Sequence, residues 1–316
     1  MSAILQNPIF TDEALAREWL EARIWPDGPR CPHCGNADGE TIRAMHGKAH
    51  RPGLYQCNEC REQFTVTVGS VFERSKIPLS KWLAALFLMV ASKKGVSAHQ
   101  VHRLLGISYK STWFMMHRLR EAMRSGDLSP MGGEGQTVEV DETFIGRKDG
   151  VEKAKGGWGH KNAVLTLVER GGSARSFHID SATVKEIAPI VRANLTREST
   201  LMTDEASQYT KLGREFAGHL TVDHGRKEYG YTDRKTGFKA NTNTVEGYYS
   251  IFKRGMKGVY QHCAEKHLHR YLAEFDFRYS NRSALGIEDE ERASRLAKGI
   301  VGKRLTYRRP DSQVRG

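Results

Sequence analysis

The sequence predicts a mixed α/β (α+β) protein in which small N-terminal modules precede a larger domain with a mixed sheet flanked by helices. Three observations support this class. Two CxxC pairs lie in a turn-rich segment between residues 31 and 60. Three helical segments, broken by glycines, follow between residues 79 and 124. From residue 136 onward, segments with strand and helix patterns alternate, which is typical of a layered α/β domain.

The pattern divides the 316-residue chain into consecutive segments. A chain of this length usually holds two or three domains, because single hydrophobic cores stop growing near about 250–300 residues. Residues 125–134 are rich in glycine, serine and proline and are interpreted as a linker. The other predicted segments are residues 1–27 as a lead-in helix, 28–72 as a zinc ribbon, 73–126 as a helix-turn-helix-like DNA-binding module, 135–285 as the α/β domain and 286–316 as a basic C-terminal tail.

The charge balance indicates a polyanionic partner. Lys and Arg number 49 against 37 Asp and Glu, which gives a net charge of +12. Such a balance favours phosphate-backbone binding through counterion release. No apolar run approaches the roughly 18 residues of a membrane span, and the N-terminus lacks the pattern of a secretion signal. We therefore expect a cytoplasmic protein that binds double-stranded DNA and does not bind a membrane.

The four paired cysteines predict one structural zinc ion. Cys31, Cys34, Cys57 and Cys60 form two CxxC turns that together supply the four thiolates of a closed tetrahedral site. A closed site leaves no open position for a reacting water, so this zinc has no catalytic role. The alternatives are four buried or redox-active thiols, and His33 as a substitute ligand.

The helical segments predict a helix-turn-helix, whose second helix covers about residues 108–124. In this motif the second helix enters the major groove of DNA. Its N-terminal residues Tyr109, Lys110, Ser111 and Thr112 would then face DNA. A helical bundle that only connects the domains fits the same periodicity.

Three acidic residues of the α/β domain predict a site for divalent metal. Asp141 lies in the apolar strand VEVDETFIG, where an unpaired buried carboxylate would cost several kcal/mol. Asp204 ends the strand LMTD, where it could also serve as a helix cap, and Glu246 begins a helix that continues to Lys253. Carboxylates clustered at a sheet edge suit two Mg²⁺ ions in phosphoryl transfer. Lys253 would bind a phosphate there, and the residues that extend this backbone contact are Arg254 and Lys257.

The chain resembles the DDE transposases of bacterial insertion sequences in the ISXO-two-like group, which carry a zinc ribbon before an RNase H-like catalytic domain. The resemblance covers nearly all of the chain from Cys31 to about Arg282. Its most specific pieces, in order, are the two CxxC pairs, VEVDETFIG, LMTDEAS, NTVEGYYSIFKRGMKGVYQH and HLHRYLAEFDFRYSNR.

The resemblance implies an RNase H-like mixed sheet, two Mg²⁺ or Mn²⁺ ions, and a DDE triad of Asp141, Asp204 and Glu246 followed by Lys253. Some similar proteins use asparagine in third place, so Asn243 is the rival third ligand. We favour Glu246 because an anionic ligand neutralises metal charge and because Lys253 follows it at the family's spacing.

Other residues near these motifs are weaker candidates. His224 follows an apolar strand and could approach the scissile phosphate, although a lone histidine is more often structural. Glu142 and Glu205, beside the two aspartates, are interpreted as supporting or solvent-facing residues. The fifth cysteine, Cys263, is interpreted as a packed thiol.

These observations lead to the hypothesis of a DNA transposase that binds the terminal inverted repeats of an insertion sequence and performs metal-dependent cleavage and strand transfer. We expect a homodimer or larger assembly on DNA, associated with the bacterial nucleoid, because both element ends must be joined. Two rivals remain: an RNase H-like nuclease without strand transfer, and a zinc-dependent DNA-binding regulator with an inert catalytic domain.

Overall fold

The fold was analysed in a computed structural model, which describes residues 6–126, 129–153, 155–222, 230–232, 237 and 239–306. The chain forms two compact units. The first unit contains the described residues up to Ser92, residues 96–124 and the described residues from Glu288 onward. The second unit contains residues 93–95 and the described residues between 125 and 287. No described helix has both the length and the hydropathy needed to cross a membrane.

The first unit begins with a helix and a small three-stranded sheet. The helix α1, Glu13–Ile24, is capped by Asp12, whose carboxylate accepts hydrogen bonds from two backbone amides of the first turn. The antiparallel strands, in the order β1-β2-β3, are Ile42–Ala44, Tyr55–Cys57 and Gln63–Phe64. They enclose a small core that contains two of the four paired cysteines.

Three helices of the first unit follow the sheet: α2, Leu79–Ala91; α3, Ala98–Leu105; and α4, Tyr109–Met123. Gly106 ends α3 in the left-handed conformation that glycine adopts easily (φ 61°), and Ser108 caps α4 two residues later. Helices α3 and α4 are thus joined by the tight turn predicted for a helix-turn-helix.

The C-terminal segment contains a helix that the sequence analysis did not predict. Residues 289–298 of the expected tail form α9, Asp289–Lys298, in the first unit. Its Arg292 donates a hydrogen bond of 3.0 Å to the carbonyl of Val90 at the end of α2. The buried apolar residues of this segment are Ala293, Leu296, Ala297 and Ile300. Their spacing is that of one helix face, but the seven charged or polar residues of α9 lower the mean hydropathy and mask it.

The second unit is built on a five-stranded mixed sheet with the strand order β6-β5-β4-β7-β8. The strands are β4, Thr137–Ile145; β5, Asn162–Glu169; β6, Ala174–Ile179; β7, Thr200–Asp204; and β8, Gly218–Val222. Strands β4, β5 and β6 pair antiparallel, whereas β4, β7 and β8 pair parallel. Tyr231–Thr232 and Lys239–Ala240 form a separate two-stranded ribbon, β9 and β10.

Helices flank this sheet. Those of the second unit are α5, Val184–Asn194; α6, Tyr209–Leu212; α7, Asn243–Gly255; and α8, Leu268–Ser280. One core lies between the sheet and α5, and a second core lies between the sheet and the pair α7 and α8. This arrangement confirms the predicted mixed α/β class. The helix α6 is short, because the chain first turns at Ala206 and continues as a 3-10 turn after α6.

Candidate active site and zinc centre

The four paired cysteines of the first unit form a compact cluster. Their sulfur atoms all lie within 4.8 Å of one another. The Sγ atoms of Cys31 and Cys60 are 3.6 Å apart, and those of Cys34 and Cys57 are 3.7 Å apart. Thiolates about 2.3 Å from a tetrahedral zinc ion would be separated by about 3.8 Å, so the cluster fits zinc and not two disulfides. His33 is exposed and is not needed as a ligand.

The register of the sheet brings two predicted acids together. In the parallel pair of β4 and β7, Thr137 lies opposite Thr200 and Glu139 lies opposite Met202. Two residues further along each strand are Asp141 and Asp204. Since side chains alternate between the faces of a strand, both carboxylates point to the same face, and the charge of Asp204 acts on the pKa of Asp141.

Helix α7 crosses this face and carries the third acid. Glu139 is fully buried, and its carboxylate accepts hydrogen bonds of 2.8 and 2.9 Å from the backbone amides of Thr244 and Val245 in the first turn of α7. In the middle of the helix, the hydroxyl of Tyr249 donates to the backbone carbonyl of Asp141 over 2.5 Å. Both contacts join α7 to β4, and between them lies Glu246.

Glu139 has a second partner, Arg170, which follows β5. The Nε atom of Arg170 donates to Glu139 over 2.6 Å, and its other nitrogens donate to the backbone carbonyls of Lys239 and Asn241. This buried ion pair therefore connects β4 and β5 to the segment that enters α7. Glu139 was not among the site residues predicted from the sequence. The sequence feature that could have identified it is its position two residues before Asp141, on the same face of β4.

The three acids interact electrostatically. Burial, together with the negative charges of Asp204 and Glu246, raises the pKa of Asp141 to about 7, while the nearby Lys253 opposes this shift. Thr242 donates a hydrogen bond of 2.8 Å to Glu246. The site thus concentrates negative charge that a divalent cation would neutralise.

The carboxylates are less tightly gathered than the cysteines. Among the described residues, the four thiols are the one group of three or more potential metal ligands within 4.8 Å of one another. Asn243 lies one turn before Glu246, at the exposed start of α7.

Glu142 supports the site from the opposite face of β4. Its carboxylate accepts hydrogen bonds from the hydroxyl of Tyr209 and, over 2.9 Å, from the amide of Gln208. Burial raises the pKa of Glu142 to about 7. Glu142 therefore connects β4 to the segment after Asp204, whereas the neighbouring Glu205 is exposed.

The remaining predicted catalytic and backbone-binding residues lie on or beyond these elements. Lys253 is half-buried, with its Nζ atom 5.7 Å from the ring centre of Tyr249. Arg254 and Lys257 are exposed at the end of α7 and in the π-helical turn after it. His224 lies outside the described residues.

The predicted DNA-reading end of α4 is only partly at the surface. Tyr109, Lys110 and Ser111 are exposed, and the ring of Tyr109 stacks on His99 with centres 4.2 Å apart. Thr112 is a correction to the prediction. It is fully buried and its hydroxyl donates to the carbonyl of Ser108, so its side chain does not face outward.

Comparison with known families decides the identity of the two modules. The ISXO2-like transposase domain matches residues 132–280, and the transposase zinc-ribbon domain matches residues 11–63. The chain therefore combines a transposase zinc-ribbon domain with an ISXO2-like transposase domain. A relative of this transposase is an uncharacterized protein in transposable element ISH50 of Halobacterium salinarum. The two proteins are 27% identical over 285 residues, which cover 85% of this chain and 91% of the relative.

The transposase match includes all three acids and Lys253, and the zinc-ribbon match includes all four cysteines. The family relationship therefore supports a zinc site in the first unit and a divalent-metal site in the second. It also identifies the protein as a transposase enzyme in general terms.

Proposed function

We propose that this transposase cuts DNA at the ends of its element and joins the freed ends to target DNA, with Asp141, Asp204 and Glu246 as ligands of two divalent ions. The observation that carries this proposal is the convergence of three carboxylates from β4, β7 and α7 on one sheet face. Each carboxylate belongs to a different element, and buried hydrogen bonds hold α7 in place over β4.

The donor set fits Mg²⁺ or Mn²⁺, because hard divalent cations prefer carboxylate oxygens. Two such ions, when bound, would stabilise the attacking and leaving oxygens of an in-line displacement at phosphorus. Glu246 is the third ligand in this proposal, because its charge acts on Asp141 and asparagine at position 243 would supply no charge.

The side chains of the site have separate roles in the reaction. Asp141 and Asp204 hold their carboxylates rigidly on paired strands, and Lys253 binds a phosphate oxygen beside them. In cleavage, water attacks phosphorus and the 3′ oxygen of the element leaves as a hydroxyl. In strand transfer, this hydroxyl attacks a target phosphodiester and displaces another 3′ oxygen. One P–O bond forms and one breaks in each step, so no further energy source is required.

The first unit would recognise the terminal inverted repeats. The exposed residues Tyr109, Lys110 and Ser111 lie at the N-terminal end of α4, which is the end that contacts base edges in helix-turn-helix proteins. Arg254 and Lys257 would contact the backbone near the cut. Because two ends are joined together, the active form would be a homodimer or larger assembly on DNA in the bacterial cytoplasm.

The test is a joining assay with the full-length protein. Pre-cut DNA ends of the element and a supercoiled plasmid are incubated with Mg²⁺, and the products are separated by size. We expect joined molecules from the wild type and from D180N, which changes an exposed aspartate after β6, and none from D141N.

Each rival function predicts different products. Shortened DNA without joined molecules would indicate a nuclease. Binding of the ends without any metal-dependent product would indicate a regulator. Full joining activity in D141N would overturn the assignment of the metal site.

A further inference from the structure

A cavity of about 430 Å³ opens in the second unit beside the acidic site. Its walls come from the end of β4, the residues just before and at the start of β5, and the turns that follow α7. The residues important here are Phe144, Trp158, Lys161, Asn162, Lys253 and Gln261. Its volume lies within the range of about 300–1,000 Å³ that is usual for small-ligand pockets. Lys253 lines this cavity, and its positive charge also opposes the rise in the pKa of Asp141. The cavity therefore adjoins the proposed reacting centre.

One wall offers an aromatic surface. Trp158 is 56% exposed, which is unusual for a tryptophan. Its ring lies nearly parallel to that of Phe144, with centres 5.9 Å apart and an interplanar angle of 12°. The Nζ atom of Lys161 lies 4.2 Å from the Trp158 ring centre. An exposed ring beside a lysine matches the way proteins bind a base and its phosphate together.

A second wall offers an unused hydrogen-bond acceptor. Asn162 is 2% exposed, and its Nδ2 atom donates to the carbonyl of Arg147 over 3.3 Å. Its buried Oδ1 atom accepts no hydrogen bond from the described residues. Buried polar atoms without a partner are rare because each costs stability, and Asn162 lines the cavity, so a ligand donor that reaches this wall would satisfy the oxygen.

The backbone of the third wall is strained. Gln261 has φ 58° and ψ −54°, and His262 donates from its backbone amide to the carbonyl of Tyr260 over 2.6 Å. These values describe a γ-turn with positive φ, which is rare and strained in a residue other than glycine. It follows directly on the π-helical turn Met256–Tyr260. Both features are over-represented at functional sites.

We propose that this cavity binds one unpaired DNA nucleotide next to the phosphate that is cut or joined. Its base stacks on Trp158 and donates a hydrogen bond to Asn162, while Lys161 and Lys253 contact the flanking phosphates. The nucleotide must be unpaired, because a base inside a duplex is stacked and cannot enter a side pocket. This inference rests on the proposed function and adds that the transposase opens or selects an unpaired end at its active site.

Binding of the full-length protein to three DNA probes tests the proposal. The probes share one duplex and end either blunt, in a tail of three thymidines, or in a tail of three abasic residues. Dissociation constants are measured by fluorescence anisotropy in Ca²⁺. We expect the thymidine tail to bind about 5- to 100-fold more tightly than the abasic tail, which is the effect of one stacked base.

Substitutions then assign this preference to the cavity. W158A should abolish the preference, and W158F, which keeps an aromatic ring, should retain most of it. K161A should weaken both tailed probes alike, because it removes a phosphate contact. K185A, which changes an exposed lysine on α5, should leave all three constants unchanged. A thermal unfolding curve for each variant checks that the fold is intact.

The outcomes separate this inference from the proposed function. Equal binding of the thymidine and abasic tails by the wild type, or a full preference in W158A, would overturn the inference even if joining activity is found. A preference that depends on Trp158, in a protein that never joins DNA, would support the nucleotide site and contradict the proposed strand transfer.

Discussion

Replacing Asp141 by asparagine should make the Mg²⁺-free transposase more stable at pH 8. The pKa of this carboxyl rises from 3.8 to about 7 in the folded protein, because the group is buried beside two other acids. The folded protein favours the neutral carboxyl. The stability that this preference contributes is therefore fully present below about pH 4 and is lost as the pH rises through about 7. A shift of about three pKa units corresponds to roughly 4 kcal/mol at most, and side-chain relaxation reduces this value.

We therefore expect D141N to raise the free energy of unfolding of the second unit by about 2–4 kcal/mol at pH 8. For a unit of this size, such a gain raises the melting temperature by roughly 5–10 °C. At pH 4 the gain should disappear, because the wild-type carboxyl is then neutral as well. Asparagine keeps the acceptor for the 2.7 Å hydrogen bond from the backbone amide of Glu142, so that contact is not lost.

The assay is calorimetry of the zinc-loaded protein at pH 4 and pH 8 in buffer freed of Mg²⁺ without a chelator, because a chelator would also remove zinc. D180N is the matched control and should behave as the wild type. Adding Mg²⁺ at pH 8 should stabilise the wild type more than D141N. An equal melting temperature for D141N and wild type at pH 8, or the same gain at both pH values, would refute the electrostatic reasoning.

The remaining predictions concern the supports of both metal sites. E139A should lower the free energy of unfolding of the second unit by about 3–5 kcal/mol and should reduce DNA joining. The substitution leaves Arg170 without its carboxylate partner and removes the hydrogen bonds that hold the start of α7. Calorimetry measures the first effect and the joining assay measures the second. R61G should tighten zinc binding by about 1 kcal/mol in a chelator competition, since Arg61 has φ 63° and glycine removes that strain; unchanged affinity would contradict this. C57S should lose zinc and DNA affinity while the melting transition of the second unit remains. E246Q should abolish joining whereas N243A retains it, and the reverse result would make Asn243 the third ligand.

The sequence predicted the central sheet well because its signals are local. The apolar residues of β4 and β5 alternate or run together over eight or nine positions, and the glycine-bounded helices α3 and α4 follow their caps. The four predicted zinc ligands were equally easy to recognise in the sequence, because each CxxC pair lies within a single turn. In each case, one short stretch of chain contains the complete signal.

The features that were missed depend on contacts between distant parts of the chain. Thr112 and Ser111 are neighbouring hydroxyl residues that lie on different sides of α4. The sequence alone does not show which side of the helix is packed. The cavity beside Lys253 draws its walls from residues 144 to 162 and from residues that follow α7, so no short motif predicts it. Helix α9 was missed because its buried positions are small or separated by charged residues.

Glu246 is the clearest case of a predicted site residue whose position is set by other residues. On its own element it is an exposed residue in the first turn of a helix, and nothing in that turn distinguishes it from an ordinary surface glutamate. Its proximity to Asp141 follows from Glu139, which holds the start of α7, and from Tyr249, which bonds to the backbone of Asp141 itself. Because both anchors end on β4, a shift of that strand would move Asp141 and Glu246 together. Under the proposed function, β4 thus preserves the relative position of these two acids, which accounts for a buried and costly ion pair two residues from Asp141.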